Sequence, residues 1–90
     1  MQEVTGDVIV VNSLGMHARP ASALVQVTTS FESNIYLTFK GNQINAKSIM
    51  GLLTLGAARG SHLIVSCSGS DAEQAFAAVT EIFASGFGEE

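Results

Sequence analysis

A single cysteine, Cys67, leaves the chain without any possible internal disulfide and without a cysteine-rich metal site, usage that fits a reducing cytosol. Basic residues are equally scarce: four Lys and Arg stand against eight Asp and Glu, a formal net charge of −4 at pH 7. That balance disfavours a partner bound through many phosphate contacts, so nucleic acid is not expected. Long apolar runs are missing too. The longest aliphatic run is Val8 to Val11, and the looser stretch from Ile49 to Ala58 is broken by Gly and Thr, so no segment approaches a membrane span. Met1-Gln2-Glu3 lacks the positive charge and apolar core of a secretory signal, and a cytoplasmic protein is expected. Two histidines on different elements and scattered carboxylates define no metal ligand set, and no cofactor is implied.

What remains is a chain of 90 residues with 47% apolar side chains, which describes one compact domain spanning residues 1–90. Glu3 to Asn12, rich in Val and Ile, reads as a strand that is apolar on both faces in its last part and therefore expected inside a sheet. Asn12 to Gly15 is a turn signal. From Ala18 the period changes: Ala21, Leu24, Val25 and Thr28 recur as on one face of a helix. The only proline, Pro20, is tolerated in the first turn of that helix, where its missing N–H has no partner to lose, and this places His17 at or beside the N-cap.

Ile35, Leu37 and Phe39 then alternate with Tyr36 and Thr38 as in a half-buried strand, and a tight turn at Lys40-Gly41-Asn42-Gln43 leads into a short second strand ending near Asn45. Ser48 is a plausible N-cap for a short helix turning Ile49, Leu52 and Leu53 toward the core. Leu63, Val65 and Cys67 alternate in a last strand, and Ala72, Phe76, Val79 and Phe83 mark a final helix stopped by Gly86. The order strand, helix, strand, strand, helix, strand, helix predicts an α+β fold, one antiparallel sheet covered on one face by helices. It does not separate that fold from a ferredoxin-like domain with an additional short helix.

The chemistry concentrates in Gly15-Met16-His17-Ala18-Arg19-Pro20-Ala21. A helix start presents unpaired N–H groups and the positive end of the helix dipole, together a site for an anion. His17 adds an imidazole nitrogen that can take up and release a phosphoryl group, Arg19 adds a fork-shaped cation suited to phosphate oxygens, and Gly15 lets the backbone bend to present the ring. The same residues are compatible with a passive anion site, or with His17 as a simple cap. His62, with no such neighbours, reads as structural or solvated, and Cys67 as a small buried apolar residue.

Asn12-Ser13-Leu14-Gly15-Met16-His17-Ala18-Arg19-Pro20-Ala21 closely resembles the active-site signature of the HPr family, the histidine phosphocarriers of the bacterial phosphoenolpyruvate-dependent phosphotransferase system. A second stretch, Ala46 to Gly56, resembles the family's signature around its regulatory serine, with Ser48 lying 31 residues after His17 as in that family. The resemblance implies an open-faced β-sandwich, a four-stranded antiparallel sheet with three helices on one face. It implies a carrier rather than a turnover enzyme: phosphorylated enzyme I donates to Nδ1 of His17, and the group passes on to an enzyme IIA protein. The backbone N–H groups of Ala18 and Arg19 would cradle the phosphate and the Arg19 side chain would partly neutralise it. Ser48 becomes a possible target of HPr kinase/phosphorylase.

The ending Ile82 to Glu90 resembles that of the nitrogen-related paralogue, NPr, so sugar uptake and nitrogen or carbon regulation both stand as branches. Many family members carry Ser or Asn where this chain has Leu14, so capping of the first helix must come from elsewhere. Gln26 and Thr29 occupy a region usually bearing lysines, which leaves Lys47 and Arg19 as the nearby positive charge and favours docking through Met16, Ile49, Met50 and Leu53. Among these, Met16 and Met50 are expected in an exposed apolar patch and Ile49 and Leu53 mainly in the core. A monomer is expected. The alternative is a regulatory interaction module of the same fold that docks on targets without phosphoryl relay.

Overall fold

The computed structural model describes residues 2–89. Among these, four strands, β1 (Gln2–Ile9), β2 (Asn34–Phe39), β3 (Asn42–Asn45) and β4 (His62–Gly69), alternate with three helices, α1 (Ala18–Thr28), α2 (Ile49–Thr54) and α3 (Ala72–Ala84), and a 3-10 turn follows at Gly86–Gly88. All pairings are antiparallel, in the order β1-β4-β2-β3. The α+β architecture expected from the order of elements is the one observed. A ferredoxin-like sheet would carry its first strand inside, and here β1 is at the edge.

That edge position corrects the reading of the first segment. Val8 and Val10 are buried, while Ile9 and Val11 are each 43% exposed, so the run Val8 to Val11 alternates like any half-buried strand and only one of its faces enters the core. The buried place in the sheet goes to β4, which pairs on both sides, with Cys67 opposite Val4 on one flank and opposite Ile35 on the other. Leu63, Val65 and Cys67 are buried as their alternation predicts.

The core between sheet and helices is built from Ile35, Leu37, Leu63 and Val65 on the strands and Leu24, Leu52, Val79 and Phe83 on the helices. Each of these apolar side chains contributes about 1.5–3 kcal/mol when withdrawn from water. The β2–β3 hairpin turns at Lys40 and Gly41, with φ 51° and 83°, the two positive angles a primed two-residue turn requires. At the far end, Asp71 ties the sheet to the loop after α1. Its carboxylate accepts from the backbone N–H groups of Glu32 and Ser33 at 2.9 Å each, and from the Ser33 hydroxyl. These bonds, the Ser33 hydroxyl first, hold the Asp71 carboxyl below the usual carboxylate range. Burial, with a smaller contribution from Asp71, raises the Cys67 thiol above its ordinary value.

Candidate functional site

His17 occupies the N-cap of α1 with an extended backbone, φ −103° and ψ −167°, and its side chain makes no capping hydrogen bond. The first intrahelical bond runs from Ala21 N–H to the His17 carbonyl at 3.0 Å. The N–H groups of Ala18 and Arg19 therefore have no acceptor within the helix, and Pro20 has no N–H to satisfy. Two backbone donors and the positive helix end converge beside an imidazole whose side chain is 37% exposed. Arg19 is exposed and lines, with Ser13, Leu14 and Glu89, a recess of about 280 Å³. A larger recess, about 460 Å³, lies between β1 and α3 and includes neither His17 nor Arg19.

The loop that presents the imidazole is clamped from behind. Met16 N–H donates to the Ala57 carbonyl at 2.9 Å, and Gly15 has φ +70°. A Cβ on Gly15 would stand 2.6 Å from the Ala57 oxygen and 2.9 Å from the Ala58 Cα. Glycine is required here by conformation and by space at once. The same clamp buries Met16 to 6% exposure, which removes it from the apolar patch in which it was expected.

The patch is built differently. Met50 is 72% exposed, and Ile49 and Leu53, expected mainly in the core, are 41% and 40% exposed. Only Leu52 of α2 is buried, because a helix of six residues has room to turn a single large side chain inward. Ile49 and Leu53, four residues apart, share the strip of the helix next to Leu52, which stays partly open to solvent. Leu14, at 76% exposure, adds a large apolar side chain beside His17 that the sequence reading had not assigned to docking. Ser48 caps α2 as expected: its hydroxyl accepts from Gly51 N–H at 3.1 Å. Lys47 is turned back into the molecule, its ammonium donating to the Phe31 carbonyl at 2.7 Å.

One partner of His17 comes from the other end of the chain. Glu89 Oε2 lies 3.0 Å from His17 Nε2, and Glu89 Oε1 lies 3.3 Å from it. Asn12, fully buried, donates through Nδ2 to Glu89 Oε1 at 2.9 Å and to the Gly15 carbonyl at 2.8 Å. The sequence marked Asn12 as the end of a strand, the start of a turn and the first residue of the HPr-like signature, with no role of its own at the imidazole, and Glu89 only as part of a tail. Nothing in their local pattern signalled that they meet at His17.

The family model described as the PTS HPr component phosphorylation site matches residues 4–85. The chain is 43% identical over 84 residues to the phosphocarrier protein HPr of Xylella fastidiosa strain 9a5c, covering 93% of this chain and 94% of that protein. Among solved structures, it is similar to HPr-C-His from Thermoanaerobacter tengcongensis, with a TM-score of 0.90, 41% identity and coverage of 100% and 99% of the two chains. A phosphocarrier protein HPr from Bacillus anthracis gives a TM-score of 0.85 at 37% identity, over 90% of this chain and 96% of that one.

Proposed function

Because the chain belongs to the HPr family of the phosphotransferase system, we propose that it carries a phosphoryl group on His17, received from phospho-enzyme I and handed on to an enzyme IIA protein. The observation that carries this reading is the helix start itself: an uncapped α1 whose Ala18 and Arg19 N–H groups have no helical acceptor, next to an accessible imidazole. A phosphoryl group on the ring would lie within the field of those donors and of the Arg19 guanidinium. Little covalent machinery is needed beyond the nucleophile, because phosphoryl transfer is promoted chiefly by positioning and charge.

Docking is assigned to Leu14, Ile49, Met50 and Leu53, the exposed apolar side chains of the His17 loop and α2. Lys47, bonded to the Phe31 carbonyl, contributes charge near that face rather than a free ammonium arm. Ser48 lies within the face and caps its helix, so a kinase adding a phosphate there would place about two negative charges among the docking residues and weaken the partner's hold. The relay is placed in the cytoplasm, and among the described residues no helix is long and apolar enough to cross a membrane.

Incubation with enzyme I, phosphoenolpyruvate and Mg²⁺, followed by intact-mass analysis, tests the reading. One acid-labile phosphoryl group is expected on the native chain and none on His17→Ala. A folded native chain that gains nothing from either the sugar-type or the nitrogen-type enzyme I would leave the non-relay interaction module as the function. Where both donors act, the faster one identifies the branch.

A further inference from the structure

Three successive residues, Gly86, Phe87 and Gly88, have positive φ values of 66°, 60° and 76°. A phenylalanine in this region is costly unless its surroundings hold it there. Here the Phe87 ring is 8% exposed and meets Phe83 edge-on, with ring centroids 4.8 Å apart. The anchored ring fixes the turn, and the turn delivers the Glu89 carboxylate to the imidazole.

The carboxylate contact selects a protonation pattern. An ionised carboxylate only accepts, so the ring nitrogen facing it, Nε2, must carry the proton. Asn12 reinforces the arrangement: both hydrogens of its amide are committed, one to the Gly15 carbonyl and one to Glu89 Oε1, which ties the carboxylate to the loop that presents His17. With the proton on Nε2, the lone pair of the neutral ring resides on Nδ1.

From this geometry we propose that Glu89, braced by Asn12, is the positioning residue of His17: it holds the proton on Nε2, keeps Nδ1 as the acceptor nitrogen, and offsets the charge that appears on the ring during transfer. In the step itself the Nδ1 lone pair forms the new bond to phosphorus while the donor's bond to phosphorus breaks, and the electron pair of that bond leaves with the donor. No proton has to move. The imidazole retains its Nε2–H and becomes cationic, with Glu89 against it; transfer to the next protein reverses these changes. The kinetic part of this inference rests on His17 being the phosphoryl acceptor, whereas the part concerning the proton does not.

Glutamine and alanine at position 89 separate the proposal from simple packing. In Glu89→Gln the amide oxygen must accept from Asn12, which turns the NH₂ toward Nε2 and drives the ring proton to Nδ1, blocking the acceptor. In Glu89→Ala water can take the Nε2–H, so the loss is smaller. Imidazole ¹⁵N spectra of the unphosphorylated chain, at a pH that keeps the ring neutral, should show the Nε2–H form in the native chain and a shift toward Nδ1–H in Glu89→Gln. Phosphoryl uptake from enzyme I should fall roughly tenfold in Glu89→Gln, equivalent to about 1.4 kcal/mol, and less in Glu89→Ala. Glu89→Asp should recover part of the rate.

A glutamine variant that keeps the native ring form and rate, or one milder than the alanine variant, would overturn the proposal, since a packing role ranks the near-isostere as the gentler change. If the native chain takes up no phosphate, the relay reading fails, and the ¹⁵N spectra still decide whether Glu89 sets the tautomer.

Discussion

Gly15 is the residue through which the site's geometry and the fold's stability can be measured together. Replacing it with alanine asks a side chain to adopt φ +70° and puts its Cβ 2.6 Å from the Ala57 oxygen and 2.9 Å from the Ala58 Cα. The left-handed conformation costs about 1–2 kcal/mol for a residue with a Cβ. The overlap meets backbone atoms rather than the end of a flexible side chain, so relief requires the His17 loop to move off the 57–58 segment, and strain of this kind costs about 1–3 kcal/mol. Gly15→Ala should therefore lose about 2–5 kcal/mol, a large part of the 5–15 kcal/mol typical of a domain's stability.

Gly56 supplies the control, because it has φ +64° and no atom within 4 Å of a built Cβ. Gly56→Ala should pay the conformational cost alone, about 1–2 kcal/mol. Urea unfolding of the two variants, followed by far-UV circular dichroism with the slopes compared, measures the difference. Gly15→Ala should unfold at distinctly lower urea and should also accept phosphate more slowly, since its relaxation displaces His17. Equal midpoints for the two variants would refute the steric argument, and a slower Gly15→Ala of native stability would show that the loop moves without cost to the fold.

At Asp71 the carboxyl is held below the usual range in the folded chain, so its contribution is present above the unfolded value and disappears as the pH falls through the folded one. Asp71→Asn should accordingly be less stable than the native chain at neutral pH, with the gap closing below roughly pH 4, as read by thermal unfolding across a pH series. Ser48→Ala removes the hydroxyl that accepts from Gly51 N–H and should cost about 1 kcal/mol in urea unfolding while leaving phosphoryl uptake intact. Ser48→Asp keeps an acceptor at the helix start and should instead raise the enzyme I concentration needed for half-maximal uptake.

The parts of this architecture that could be read from the sequence are those decided by local chemistry. Pro20 can sit only near a helix start, and α1 begins at Ala18 with His17 as its N-cap. Ser48 advertises its capping role by residue type, and the alternation of Leu63, Val65 and Cys67 is reproduced in their burial. The position of a strand within a sheet has no such local signature. Four consecutive aliphatic residues at Val8 to Val11 suit a central strand as well as an edge, and the choice was made by β4, whose two flanks are both occupied. The inversion of Met16 against Ile49 and Leu53 has the same origin: each is an apolar residue in or just before a helix, and the backbone bond from Met16 to Ala57 draws one loop inward while α2 is too short to bury more than Leu52.

The site divides along the same line. His17 and Arg19 sit within three residues of Pro20, so one local motif announces the nucleophile, the cation and the helix dipole together. Glu89 lies 72 residues from His17, and Asn12 lies 77 from Glu89. Their meeting depends on α3 crossing the sheet, on Phe87 seating against Phe83, and on three positive φ angles in a row. Glycine at 86 and 88 is a local hint of a turn, but the non-glycine residue between them adopts φ 60° only because its ring is buried, a property of the finished core. It follows that the two halves of the site respond to different perturbations: changes at residues 15–20 act on the nucleophile directly, whereas loosening the Phe83–Phe87 contact withdraws Glu89 and leaves the helix start in place.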